Sequence, residues 1–141
     1  MPILESKTIQ KYQKHSITKL NELAQKFFNA YIRKRDAHLQ CISCGTGSPA
    51  NAGHFYSEGH YKTLRWNEDN VHGQCIRCNH FLHGNLNNYR INLEKKIGKE
   101  ALLILDELAV MDKITRKRKE TIFEKRIKAV EIIIKYKELC K

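Results

Sequence analysis

Two cysteine pairs dominate the reading of this chain: Cys41-Ile-Ser-Cys44 and Cys75-Ile-Arg-Cys78, with 30 residues between them. Each CxxC forms a tight knuckle, and Gly45 closely follows the first. Two knuckles at this separation can converge as a tetrahedral thiolate site for zinc. Disulfides are disfavoured in a reducing compartment. A redox CxxC needs a single pair in a thioredoxin-like βαβ context. The expected cofactor is therefore structural Zn2+ on Cys41, Cys44, Cys75 and Cys78. Four thiolates leave no open coordination position, so such a zinc builds the fold and any catalysis comes from other residues. Cys140, on the last helical turn, has no partner pair and reads as an incidental free thiol.

Length and charge narrow the class. At 141 residues the chain is one domain's worth, and 41% hydrophobic content is enough for a core. No apolar run approaches the roughly 18 residues of a membrane span. The opening MPILESKTIQKYQKHS lacks the apolar stretch of a signal peptide. The expectation is a cytoplasmic protein with reduced thiols and no membrane partner. The net charge of +11 is unevenly spread. Residues 1–40 carry eight basic and three acidic residues, residues 41–110 seven of each, and residues 111–141 eleven basic and five acidic. Two basic arms around a neutral middle favour a polyanion partner, because each neutralised phosphate releases condensed counterions.

Periodicity places the elements. Residues 16–36 read as an amphipathic helix, with Ile17, Leu20, Leu23, Ala24, Phe27, Phe28 and Tyr31 on one face. Ser16 or Thr18 is its expected N-cap. Residues 52–57 and 61–66 read as two strands, and 67–70 as a polar turn. A helix is expected to grow from the second knuckle over 75–82. Further helices are expected over 88–97, ending near Gly98, over 99–109 with Ala101, Leu102, Leu105 and Leu108 inward, and over 115–139. The last opens on the basic run Lys113–Lys119.

Around the knuckles stand His54, Asn70 and Asn79. His54 lies 10 residues after Cys44, Asn70 five before Cys75, and Asn79 directly after Cys78. This order resembles the layout of a ββα-metal nuclease. There a histidine on the first strand deprotonates water, an asparagine in the connecting loop holds the backbone, and a side chain on the helix's first turn helps bind a divalent metal. The chemistry suits these residue types. Neutral imidazole can take a proton near neutral pH, and a hard cation takes oxygen ligands. The fold class expected is α+β, mostly α, with a zinc-knuckle ββα-metal (HNH-like) core flanked by amphipathic helices. As a single domain over 1–141 it comprises a basic N-terminal helix (1–40), the zinc-bound core (41–98) and basic C-terminal helices (99–141).

The stretches CISCGT (41–46), AGHF (52–55), LRWNEDNVHGQCIRCN (64–79), GNLNNYR (84–90) and the Ile97-Gly98 pair resemble the lambda NinG (Rap) family of phage recombination endonucleases. The knuckle–strand–strand–knuckle order is also similar to that of phage endonuclease VII. The resemblance implies a metal-dependent endonuclease acting on branched DNA, including Holliday junctions and D-loops. It makes His54 the general base and Asn79 a ligand to a catalytic Mg2+ or Mn2+. The aspartate that precedes the base in many ββα-metal enzymes is Gly53 here. The aspartate of the lambda-like pattern is Asn51, which offers a neutral oxygen to the metal, and His60, His72, His80 or His83 are candidate helpers. Arg33, Lys34 and Arg35, with Arg116, Lys117, Arg118 and Lys119, are expected to contact phosphates rather than base edges. The alternative is a non-catalytic zinc-knuckle DNA-binding protein. Paired cuts by a resolvase favour a homodimer, for which the apolar stripes of the terminal helices are candidates.

Overall fold

The computed structural model of the chain describes residues 6–116 and 118–141. These form five α-helices and one two-stranded antiparallel sheet: α1 (Ser6–Gln13), α2 (Ile17–Asp36), β1 (Asn51–His54), β2 (Val71–Gln74), α3 (Leu86–Ile97), α4 (Lys99–Thr115) and α5 (Ile122–Leu139). The molecule is mostly helical with a small sheet, as expected. Among the described residues, no helix is long and apolar enough to cross a membrane.

The chain divides into two compact units, residues 1–28 with 120–141 and residues 29–119. The first holds α1, the opening turns of α2, and α5. Leu20, Ala24 and Phe28 recur every fourth residue along α2 and are wholly buried. Phe28 meets Tyr136 of α5 edge to face, with ring centroids 4.9 Å apart. Ser16 is the N-cap of α2, its hydroxyl accepting the Lys19 N–H at 3.1 Å. Helix α5 begins later than its hydrophobic period suggested. Thr121 and Glu124 form a reciprocal capping box there. The basic run expected to open α5 instead belongs to the end of α4 and the connection, and Lys117 lies outside the described residues.

The second unit packs Ile42, Leu64, Tyr89, Leu93, Leu102, Leu105 and Ala109 into one core. Helix α4 turns Leu102, Leu105, Ala109 and Asp112 inward, while Leu108, expected inside, is 40% exposed. The second strand is not where the aromatic and β-branched residues of 61–66 placed it. Lys62–Leu64 is a 3-10 turn, and β2 is Val-His-Gly-Gln, paired with β1 in the register Asn51↔Gln74 to His54↔Val71. The turn is pinned by Asp112, whose Oδ1 accepts from both the Thr63 N–H (2.9 Å) and its hydroxyl (2.6 Å). The expected helix over 75–82 is a single π turn, Arg77–Phe81.

Candidate functional site

The four paired cysteines converge. Their sulfurs lie within 4.8 Å of one another, with Cys41 and Cys78 buried and Cys44 exposed. Cys44 Sγ and Cys75 Sγ are 3.8 Å apart. That is the edge of a tetrahedron built on metal–sulfur bonds of about 2.3 Å. Each knuckle folds its backbone N–H groups onto sulfur: Gly47 N to Cys44 (3.3 Å), Ser43 N to Cys41 (3.4 Å) and Cys78 N to Cys75 (3.4 Å). The N–H groups of Thr46 and Gly47 draw the Cys44 thiol down to about 6, whereas burial pushes Cys78 up to about 12. Four soft donors with N–H support fit a zinc ion, and this cluster could hold one.

Behind the sulfurs, a buried polar hub locks the knuckles to the sheet. Gln74 Nε2 donates to Ser43 Oγ (2.8 Å) and to Gly84 O (2.6 Å), and Ser43 Oγ also donates to Gly84 O. His83, Gly84 and Asn85 all adopt positive φ. This run reverses the chain out of the π turn and brings Asn85 Nδ2 to Cys78 Sγ.

The far edge of β2 is clamped by charge. Asp36, 1% exposed, accepts the Gly73 N–H at 2.8 Å and pairs with Arg35 and Lys96. Arg35 spends its guanidinium on the Asp36 carboxylate, Glu68 O, Val71 O and His72 Nδ1. Its structural place is therefore against the edge of β2, whereas Arg33 and Lys34 are exposed. Burial works against the Asp36 charge, but Arg35, the Gly73 N–H and Lys96 hold its carboxyl well below the usual range. His72 is buried and occupied at both nitrogens. Nε2 donates to Asp69 O, so Nδ1 accepts from Arg35, and burial drives its pKa down to about 3.

His54 ends β1. Its Nε2 lies 2.8 Å from Arg65 O, and burial pushes the imidazole below its ordinary value. Asn70, fully buried, holds the loop carrying that carbonyl. Its Oδ1 accepts the Tyr56 N–H, and its Nδ2 donates to Tyr56 O and Leu64 O. Tyr89 Oη donates to Gly53 O, fixing the residue before His54. Asn79 stands on the π turn, its N–H bonded to Cys75 O. Asn51 opens β1, and the pleat places it on the face of Gly53, opposite His54. Among the remaining histidines, His60 pairs with Ser57, His80 stands perpendicular to the Phe81 ring, and His83 sits at positive φ. Among the described residues, the four cysteines are the one group of His, Cys, Asp and Glu gathered closely enough to hold an ion.

A family model described as bacteriophage lambda NinG protein matches residues 4–138. The chain belongs to the NinG family. It is 48% identical over 81 residues to protein ninG of Escherichia phage lambda, a stretch covering 56% of this chain and 40% of that protein. Protein ninG of Escherichia phage 933W is 47% identical over the same length. Protein ninG of Salmonella phage P22 is 47% identical over 77 residues, covering 53% of this chain and 38% of its own. The chain thus matches about two fifths of the length of these curated relatives. No solved structure matches it.

The NinG-like stretches coincide with the hub. GNLNNYR carries Gly84, Asn85 and Tyr89, and Arg90, which forms a bidentate pair with Asp106. Sequence reasoning missed Gln74, Tyr89 and the Arg35–Asp36–Lys96–His72 clamp. A buried polar side chain leaves no periodic signature.

Proposed function

We propose that this chain is a metal-dependent, structure-selective DNA endonuclease acting on branched recombination intermediates, with His54 as general base. One observation carries the reading: the hold on His54 by Arg65 O at 2.8 Å. A carbonyl oxygen only accepts, so Nε2 bears the proton and Nδ1 keeps the lone pair. Burial, by lowering the pKa, keeps the ring neutral near pH 7. A neutral imidazole with a fixed free nitrogen is what a general base requires. Nδ1 takes a proton from water as the water oxygen attacks phosphorus. The P–O3′ bond then breaks, and the departing oxygen takes a proton from solvent. Asn70 acts as a positioning residue, since it holds both the turn that presents Arg65 O and the chain leaving β1.

The four thiols take a structural Zn2+. A Mg2+ or Mn2+ ion, when bound, supplies charge opposite the phosphate and leaving oxygen. Asn79 is the amide donor this chain offers it. Arg33, Lys34, Arg116, Arg118 and Lys119, all exposed, are the proposed phosphate contacts outside the core. Paired symmetric cuts call for a homodimer.

A second reading, a non-catalytic zinc-knuckle DNA-binding recombination protein, is favoured by the donor set. Among the described residues, no carboxylate cluster accompanies His54. A panel of labelled four-way junction, D-loop, flap, linear duplex and single strand, with and without Mg2+ or Mn2+, separates the two. Cleavage of the branched substrates is expected, and His54→Ala should reduce it about 10²–10⁴-fold with zinc content and DNA affinity retained. Binding without nicking by the unmodified chain supports the second reading. Equal cleavage by His54→Ala refutes the base assignment.

A further inference from the structure

Within the first compact unit, α1 and the last turns of α5 line an open cleft of about 220 Å³. Tyr12 and Ile134 supply apolar wall, and Thr8, Lys11, Lys137 and Lys141 supply its polar lining along with Glu138. The one carboxylate there is engaged, Glu138 pairing with Lys141 at 2.9 Å. Lys11 and Lys137 instead line the same cleft. Among the described residues, neither forms an ion pair with a carboxylate. Their ammonium groups lie over aromatic rings, Lys11 over Tyr12 at 5.4 Å and Lys137 over Phe27 at 5.9 Å. Lys11 is the main influence drawing the Lys137 pKa below that of an ordinary lysine.

Helix dipoles explain part of this. Lys11 sits in the last turn of α1 and Lys137 in the last turn of α5, where a cation complements the negative end. That accounts for one cation at each end, but not for the fold bringing the two together. Like charges lining one cleft are relieved by an anion between them.

We propose that this cleft seats a backbone phosphate of a nucleic acid, held by Lys11 and Lys137 with the Thr8 hydroxyl as a further donor. The choice of a phosphodiester over a free phosphate follows from the donors. A site for a free phosphate needs several converging N–H groups, as at a helix N-terminus or a backbone nest. Here the two cations stand on the C-terminal turns of their helices. Two ammonium groups and a hydroxyl suit one phosphate of a polymer that is held at many other points. The surrounding unit agrees in sign, since residues 1–28 and 120–141 carry eleven basic and six acidic residues, a net +5. The inference rests on the nucleic-acid part of the function proposed above and is independent of cleavage.

The test uses the full chain without divalent metal, binding a labelled four-way junction and unrelated linear duplexes across a range of NaCl concentrations. A Lys11→Gln/Lys137→Gln double variant should bind all of them more weakly to a similar degree. On duplex it should lower the salt slope by roughly 0.9, the value for one phosphate no longer neutralised. Its thermal midpoint should hold or rise, because a repulsive pair has been removed, and Lys11→Arg/Lys137→Arg should keep the slope of the parent. An unchanged slope in the folded Gln variant overturns the proposal, as does a failure of the parent chain to bind DNA. Inorganic phosphate, added at constant ionic strength, should compete no better than chloride. Strong competition that disappears in the Gln variant would reassign the cleft to a small phosphate ligand and overturn the backbone assignment. A chain that binds but never cuts refutes the nuclease reading and leaves this test intact.

Discussion

His72 is a histidine that the fold forbids to be charged. In the unfolded chain it takes a proton near pH 6.5, whereas burial in the native sheet lowers its pKa to about 3. Between these values the unfolded state binds more protons, so stability rises with pH and falls as the solution is acidified. One such group contributes a slope of up to about 1.4 kcal/mol per pH unit. His54, also depressed by burial, acts in the same direction. Asp36 adds a later loss. Its folded pKa is below its unfolded one, so its contribution is complete above about pH 4 and disappears as pH falls through the depressed value. Urea unfolding at pH 7, 5.5 and 4 should show falling stability, with a shallower fall in His72→Gln. Comparing the two proteins cancels the protons taken up by the thiols. Equal slopes in both would show that His72 titrates normally in the native state.

The β1–β2 pair explains the residue before the proposed base. A Cβ at Gly53 would lie 2.0 Å from Gln74 Oε1 and 3.0 Å from Gln74 Cβ. Gln74 cannot retreat easily, because its amide nitrogen is committed to Ser43 and Gly84 behind the knuckles. An aspartate at this position is therefore disfavoured by packing. Gly53→Asp should destabilise the protein by about 1–3 kcal/mol, the usual cost of overpacking. It should not strengthen Mg2+ or Mn2+ binding. Chemical denaturation and a metal titration read the two effects separately, and a stable variant with tighter metal binding would show that Gln74 moves aside at little cost. Gly73 on the partner strand is under a similar constraint, since a Cβ there would meet Pro49 Cβ at 2.5 Å.

In the molecule as a whole, the second unit combines a modest apolar core with the thiol cluster and the polar hub. Structural zinc in small modules contributes about 10–16 kcal/mol of apparent binding free energy, as much as the total stability of about 5–15 kcal/mol typical of a domain. Stripping the metal, or replacing Cys41 or Cys78 with serine, should therefore unfold the knuckles. The sheet amides and those of residues 82–85 should lose hydrogen-exchange protection, and zinc content should fall with it. Full protection in a chelated, zinc-free protein would make the apolar core sufficient alone.

Much of this was legible along the chain because it repeats or is spaced. Leu20, Ala24 and Phe28 recur at four-residue steps, so α2 was readable as a helix with a buried stripe. The CxxC spacing announced two knuckles, and their sulfurs meet. The second strand and the clamp were not legible, because their stabilisation is non-local. Val71–Gln74 is a strand through its pairing with β1 and through Asp36 and Arg35, which bond to it from 35 or more positions earlier in the chain. For the same reason Arg35, which reads as a phosphate contact from its neighbours at the end of α2, lies against backbone carbonyls in space. Local spacing encodes which residues share a face. Which polar groups satisfy one another when buried depends on where distant segments meet, and folding alone brings those segments together.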